Sequence, residues 1–262
     1  MIPVTVINLA GEAARWRAAA GALERVGIRA ARLDAVDGSV LHPATRSALY
    51  DAAGNARAYH KPLCDGEIGC YASHLEAWRR LVASGRGAAA ILEDDVDVDP
   101  DLAAVLGAIE RLDVPWDMVK LVGRARERVR GRMPLSRGRD LIDYRRVPSL
   151  TGAYAVTRQG ALKLLARRRP FGRPVDVDLR HWWECDLRVL GLDPYPVRPS
   201  PAARRSTIAG RCKPIDAAAR WHRLGLQATY SWHNWLATRA APTLTQPRAA
   251  PGRAARAVDA SS

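Results

Sequence analysis

Short apolar runs alternate with helix-period segments through the first half of the chain, and that alternation leaves few folds open. Val4-Thr5-Val6-Ile7 is largely β-branched, is bounded by Pro3 and Gly11, and reads as a buried strand over residues 3–9. Residues 12–26 follow with Trp16, Ala19, Ala20, Leu23 and Val26 on one helical face and Gly27 as a natural stop. Ile28–Leu33, Ala88–Leu92 and Asp117–Val122 read as further strands, and residues 65–84 and 101–112 as further helices. Within 65–84, Ser73 and Glu76 have capping-box spacing, so the segment is one helix or two abutting ones. Strand alternating with helix predicts an α/β domain with a central, mostly parallel sheet flanked by helices.

The rhythm breaks at residues 123–140, which hold seven arginines and three glycines and little that could enter a core. That composition predicts a mobile, functional loop. Leu141–Val147 and Leu150–Val156 resemble two strands that could pair, and Thr157 caps a helix through Leu165. Residues 174–190 combine Asp176 and Asp178 with the Trp-rich stretch His181-Trp182-Trp183-Glu184. Residues 216–237 read as a helix with Trp221, Leu224, Trp232 and Trp235 available for packing. From Thr238 the chain is rich in Ala, Pro and Arg. The expected organisation is one domain over residues 1–237 and a disordered tail over 238–262.

No run approaches the roughly 18–20 apolar residues of a membrane span. No basic segment precedes a long apolar one at the N-terminus, so secretory export is not expected. The four cysteines, at 64, 70, 185 and 212, form no Cys-x-x-Cys pair and are expected to be reduced. Charge is unevenly placed: residues 1–120 carry 13 Lys and Arg against 17 Asp and Glu, and the remainder 28 against 10. A basic second half attracts phosphate-rich partners, whether nucleic acid, anionic lipid or phosphorylated saccharide.

Three adjacent carboxylates, Glu93-Asp94-Asp95, follow the apolar run Ala88–Leu92 directly. The carboxyl end of a strand is where open α/β sheets bind their ligands. In an extended segment residues i and i+2 point the same way, which sets Glu93 and Asp95 toward one ion and Asp94 to the opposite side. Carboxylates this close repel one another unless a cation sits among them, and two carboxylates with phosphate oxygens suit Mg²⁺ or Mn²⁺. Taken alone, the run reads equally as an exposed acidic loop. His74, with Glu67 and Ser73 on the preceding helix, reads alone as a satisfied structural histidine.

Several blocks, in order, resemble glycosyltransferase family 25, which includes bacterial lipooligosaccharide glycosyltransferases and collagen galactosyltransferases. They are Val6-Ile7-Asn8-Leu9 followed by Arg15, Ala35-Val36-Asp37-Gly38, Gly66-Glu67-Ile68-Gly69-Cys70 with Ser73-His74 and Trp78, and Ile91-Leu92-Glu93-Asp94-Asp95-Val96. Weaker matches are Gly152-Ala153-Tyr154, Pro174-Val175-Asp176 and Ser206-Thr207-Ile208. The resemblance spans roughly residues 4–210. The Arg-rich segment 123–140 departs from the family pattern.

The resemblance implies a GT-A-like fold and an inverting transfer of galactose or glucose from a UDP-sugar to a saccharide or glycolipid acceptor, such as a lipopolysaccharide core. It implies Mn²⁺ or Mg²⁺ on Glu93 and Asp95. Asn8, Leu9, Arg15, Glu67, Ser73, His74 and Asp94 fall at the donor, with Arg204 and Arg205 as further phosphate contacts. Inversion needs a carboxylate base remote from the metal. Asp176 aligns with the family's Pro-x-Asp element, and Glu184, Asp178 and Asp186 are the alternatives. Trp182 and Trp183 serve as a sugar platform or as core. A cytoplasmic enzyme, peripheral at the inner face of the membrane through its basic half, fits this picture. Competing readings are another metal-dependent phosphate enzyme, such as a nucleotidyltransferase or phosphodiesterase, and a basic non-catalytic glycan- or nucleic-acid-binding protein. No nucleic-acid-binding motif occurs, so no nucleic-acid partner is expected.

Overall fold

The computed structural model describes residues 1–124, 126–167, 170–200 and 217–244. The first strand, β1 (Val4–Asn8), leads through α1 (Ala13–Arg25) to β2 (Ala30–Asp34). Two short helices, α2 (Pro43–Leu49) and α3 (Ala52–Ala58), precede the long α4 (Asp65–Ala83). Then come β3 (Ala88–Glu93), β4 (Val96–Val98), α5 (Leu102–Glu110) and β5 (Met118–Lys120). The second half holds β6 (Val129–Ser136), β7 (Arg139–Tyr144), β8 (Ala153–Thr157), α6 (Arg158–Arg167), α7 (Val175–Asp178), β9 (Val189–Asp193), β10 (Val197–Pro199) and α8 (Ala217–Ala240).

Eight strands form one sheet in the order β2-β1-β3-β8-β5-β9-β7-β6. Six of the eight point the same way; β8 and β7 run against them, so the sheet is mixed in its pairings. Successive residues of each strand face opposite layers. Ile7, Ile91, Met118 and Tyr154 join α4 and α6 in one core, while Val6, Leu92, Val119 and Ala155 join α1 and α5 in the other. This is the α/β layering that the strand–helix alternation predicts.

Three local expectations need correction. The Arg-rich segment is not all loop: residues 129–136 form the edge strand β6, paired with β7. Val129, Met133 and Leu135 pack against the cores, while Arg132 pairs outward with Asp140 and Asp193. Charged side chains of this kind suit an exposed sheet edge. The segments near 141–147 and 150–156 are strands but not partners, because β5 and β9 lie between β8 and β7. Cys64 is disulfide-bonded rather than reduced.

Helix α4 is continuous through Ser73. The Ser73 hydroxyl donates to the Gly69 carbonyl (2.7 Å) and accepts from the Val36 backbone N–H (2.8 Å). Here α4 meets the loop after β2 backbone to backbone. A Cβ on Gly69 would lie 2.4 Å from the Val36 carbonyl oxygen, and one on Gly38 would lie 1.9 Å from that of Asp65. The Gly66-x-x-Gly69 and Asp37-Gly38 blocks thus meet at one seam, where side chains have no room.

Candidate active site

The carboxyl ends of the co-directional strands β1, β3 and β5 carry Asn8, Glu93 and Lys120, and the start of the antiparallel β8 brings Thr151 to the same edge. The backbone N–H of Glu93 donates to the Gly152 carbonyl, locking that junction. The expected convergence of Asn8, Arg15 and the acidic cluster is found here.

Strand geometry ends at Glu93, and Asp94 and Asp95 lie in the turn that follows. The simple alternation of side chains therefore stops, and Arg15 reaches Asp94 (2.5 Å) and Asp95 (3.2 Å) together. Asn8 Nδ2 also donates to Asp94 (2.6 Å). With these partners the Asp94 side chain is only 9% exposed, against 20% for Asp95 and 28% for Glu93. Asp94 is clamped, and the other two carboxylates remain accessible. Burial, helped by the Glu93 charge and opposed by Arg15, pushes the Asp95 carboxyl up to about 6. Burial also raises Asp94, against the Asn8 hydrogen bond and Arg15.

Glu93 turns toward α4. Thr151 Oγ1 donates to its carboxylate (3.0 Å), and His74 Nε2 lies 3.5 Å away. The Tyr154 oxygen accepts from Trp78 Nε1 (2.9 Å) and lies 2.8 Å from His74 Nδ1. His74 thus stands between the Tyr154 hydroxyl on its Nδ1 side and the Glu93 carboxylate on its Nε2 side. Burial works against the Glu93 charge, but His74, Thr151 and Arg15 hold its carboxyl below the usual range. Glu67 accepts from the Cys64 N–H and pairs with Lys61 at 2.9 Å. Ser73 is fully buried and holds the Val36 loop.

Lys120 is a site residue that sequence reasoning passed over. It is fully buried and donates to the Leu150 carbonyl. Burial lowers its ammonium to about 8, while Asp176, Glu127 and Glu93 work to keep it charged. A lone lysine inside Met118-Val119-Lys120-Leu121-Val122 was the available signal. Asp176, in the first turn of α7, faces the same centre: burial pushes its carboxyl up to about 6, Lys120 lowers it, and Glu93 and Glu67 raise it.

The other base candidates each lie against a basic side chain, with Glu184 also on the wall of the cleft described below. Asp178 accepts from Tyr71 Oη (2.5 Å) and pairs with Arg173 Nε (2.8 Å). Arg173 also grips both oxygens of Glu184. Asp186 is exposed, 3.8 Å from Lys163. Trp182 donates to Asn234 of α8, whereas Trp183 opens onto a cleft of about 1160 Å³. Arg128, Arg146, Arg180, Arg223, Tyr59 and Tyr230 are among the residues that line it. Val177 lines the cleft next to Asp176, and Tyr59 senses both the Glu67 and Asp176 charges, so cleft and acidic centre adjoin. Cys212, Arg204, Arg205 and Ser206-Thr207-Ile208 lie outside the described residues.

Two donor sets bear on a cation, and the second is the one whose ligand atoms lie together among the described residues. Glu93 and Asp95 offer hard carboxylate oxygens, and the Asp95 carboxyl is raised first by burial and then by the Glu93 charge. Cys70, His74 and Glu93 form a second set with ligand atoms within 4.8 Å of one another. Its sulfur and nitrogen suit Zn²⁺ more than Mn²⁺ or Mg²⁺.

The model of glycosyltransferase family 25 (LPS biosynthesis protein) matches residues 1–179, which covers β1, α4, the acidic turn and α7. The chain belongs to glycosyltransferase family 25. Among curated relatives, procollagen galactosyltransferase 1 of Danio rerio is 28% identical over 193 residues, 64% of this chain and 31% of that protein. A glycosyltransferase 25 family member of Drosophila pseudoobscura pseudoobscura is 29% identical over 67% of this chain and 28% of its own length. The probable inactive glycosyltransferase 25 family member 3 of Bos taurus is 26% identical over 75% of this chain and 36% of its own length. The chain spans about a third of the length of these relatives.

Proposed function

We propose that this chain is an inverting, metal-assisted hexosyltransferase that moves galactose or glucose from a UDP-sugar to a saccharide acceptor bearing anionic groups, such as a lipopolysaccharide core or another cell-surface glycan. One observation carries the reading. An under-neutralised acidic centre matched by the family lies at the ligand-binding edge of the sheet, beside Asp176 and a basic, aromatic cleft.

Asn8, Leu9, Arg15 and Asp94 form the donor end, where the β1–α1 junction supplies polar backbone and a guanidinium for phosphate oxygens. Glu93 and Asp95 are the proposed holders of Mn²⁺ or Mg²⁺. When bound, that ion neutralises the charge that develops on the departing diphosphate. His74 and Thr151 fix the Glu93 carboxylate, and Glu67 and Ser73 act through the position of α4. Lys120 balances charge between Glu93 and Asp176.

Asp176 accepts the proton of the acceptor hydroxyl while that oxygen attacks the anomeric carbon. The bond to the diphosphate breaks on the opposite face, UDP leaves, and the configuration inverts. Trp183, Tyr59 and Tyr230 offer faces for sugar rings, and the arginines around them attract phosphate or carboxylate on the acceptor.

The test is a sugar-nucleotide panel with Mn²⁺, following UDP release. Release from UDP-galactose or UDP-glucose that disappears in Asp95→Ala supports the reading, and failure of every nucleotide-sugar to bind or turn over sinks it. Relatives named inactive favour a second reading, a donor-binding protein without transfer. Tight donor binding with no turnover on any acceptor would select it.

A further inference from the structure

Helix α8 carries an apolar stripe that no described residue covers. Trp221 is 76% exposed, Trp232 59% and Trp235 46%, with Leu224 and Leu236 also exposed. At about 100° per residue these side chains fall on one face, roughly half a turn from Tyr230 and Asn234, which are buried against the domain. The Trp232 and Trp235 rings stack at 5.4 Å, and the Arg239 guanidinium lies 4.5 Å from the Trp235 ring centre.

The charge on this helix points to one occupant. Residues 217–240 contain no Asp or Glu; Arg239 lies on the striped face against Trp235 and Arg220 flanks it, while Arg223 turns to the opposite flank. A protein–protein face with three exposed tryptophans and no acidic residue would meet an acidic partner surface. An anionic bilayer supplies that charge together with the interfacial layer where tryptophan partitions best. Among the described residues no helix is long and apolar enough to cross a membrane, so contact would be lateral.

We propose that α8 lies in the surface of an anionic lipid bilayer through Trp221, Leu224, Trp232, Trp235 and Leu236. The opposite flank of the helix, with Arg223, Gln227 and Tyr230, forms a wall of the basic cleft. Docking therefore holds the cleft beside the head-group layer, where a glycolipid would present its sugars. The docking itself does not depend on the transfer reading.

The experiment is co-sedimentation of the full chain with phosphatidylethanolamine vesicles with and without phosphatidylglycerol, at low and high salt. It is paired with light scattering in the absence of lipid. Binding should require phosphatidylglycerol, weaken with salt and fall on the order of tenfold or more in Trp232→Glu/Trp235→Glu. These side chains are exposed, so the double variant should keep its circular dichroism and its UDP release from the donor in the presence of a soluble acceptor. Absence of vesicle binding overturns the proposal, as does binding that the double variant retains in full. A wild-type dimer that the double variant dissociates, without vesicle binding, assigns the stripe to a second copy instead. Loss of UDP release in wild type with vesicle binding intact would refute the transfer reading alone.

Discussion

Two groups of carboxylates flank the same helix α4, and they differ in how their charge is met. Around Arg173, Asp178 and Glu184 share one guanidinium, and Asp178 gains the Tyr71 hydroxyl as well. Tyr71 in turn stacks on Phe171 with ring centres 3.9 Å apart. At the end of β3, three carboxylates face one arginine, one imidazole, the Asn8 amide and a threonine, and burial together with the Glu93 charge raises the Asp95 carboxyl. Matched carboxylates are architecture. Unmatched ones, at a ligand-binding sheet edge, are available for chemistry. The contrast is the ground on which Asp176 is proposed as the base: burial and the Glu93 charge raise it, whereas Asp178 and Glu184 pair with Arg173.

The most severe break in this contrast is expected from Asp95→Ala. UDP release should fall by about 10³-fold or more while the melting temperature holds or rises, because a repelled charge is removed. Arg173→Ala should do the reverse. It strands two carboxylates, costing on the order of 3–5 kcal/mol by denaturant titration, while turnover of the folded fraction changes by less than about threefold. A loss of transfer at unchanged stability in Arg173→Ala would erase the distinction.

Asp176→Asn should keep donor binding, measured by calorimetry, and lower transfer by about 10²- to 10⁴-fold. Its stability should move in the opposite direction. With the carboxyl raised to about 6, the folded state binds more protons than the unfolded state between the ordinary value and about 6. Wild type therefore loses stability as pH rises through that window, and the neutral variant should be more stable above it by about 1–3 kcal/mol. For the same reason wild-type transfer should rise with pH through about 6, as Asp176 ionises. A rate flat across that range would exclude it as the base. A smaller effect closes the series: Mn²⁺ at about a hundredfold excess over its Kd should stabilise wild type by roughly 2.7 kcal/mol, and Asp95→Ala by much less.

The framework was legible because its signals are periodic. The β-branched run at Val4–Ile7, the apolar face of α1 and the strand before Glu93 each announce themselves locally. β6 was hidden: Val129, Gly131, Met133 and Leu135 alternate as a strand should, but the arginines between them belong to an exposed edge and mimic a loop. The residues of the acidic turn were legible, whereas their orientation was not. Period-two reasoning fails where the strand ends, so the shared grip of Arg15 on Asp94 and Asp95 could not be foreseen. Lys120 and Thr151 enter the site only through the insertion of β8 between β3 and β5, a long-range pairing with no local trace.

The seam between Gly38 and Gly69 bears on what a family match means. Both positions are set by the space between two backbones and carry no reactive group. Much of the most recognisable block in the chain, Gly66-Glu67-Ile68-Gly69-Cys70, is therefore a record of shape. A descendant that lost its chemistry would still have to keep that record in order to fold, which is how proteins named inactive can score beside ones named for galactosyl transfer. Activity is better diagnosed by the few side chains that the fold itself does not need, and on the proposed mechanism those are Asp95 and Asp176.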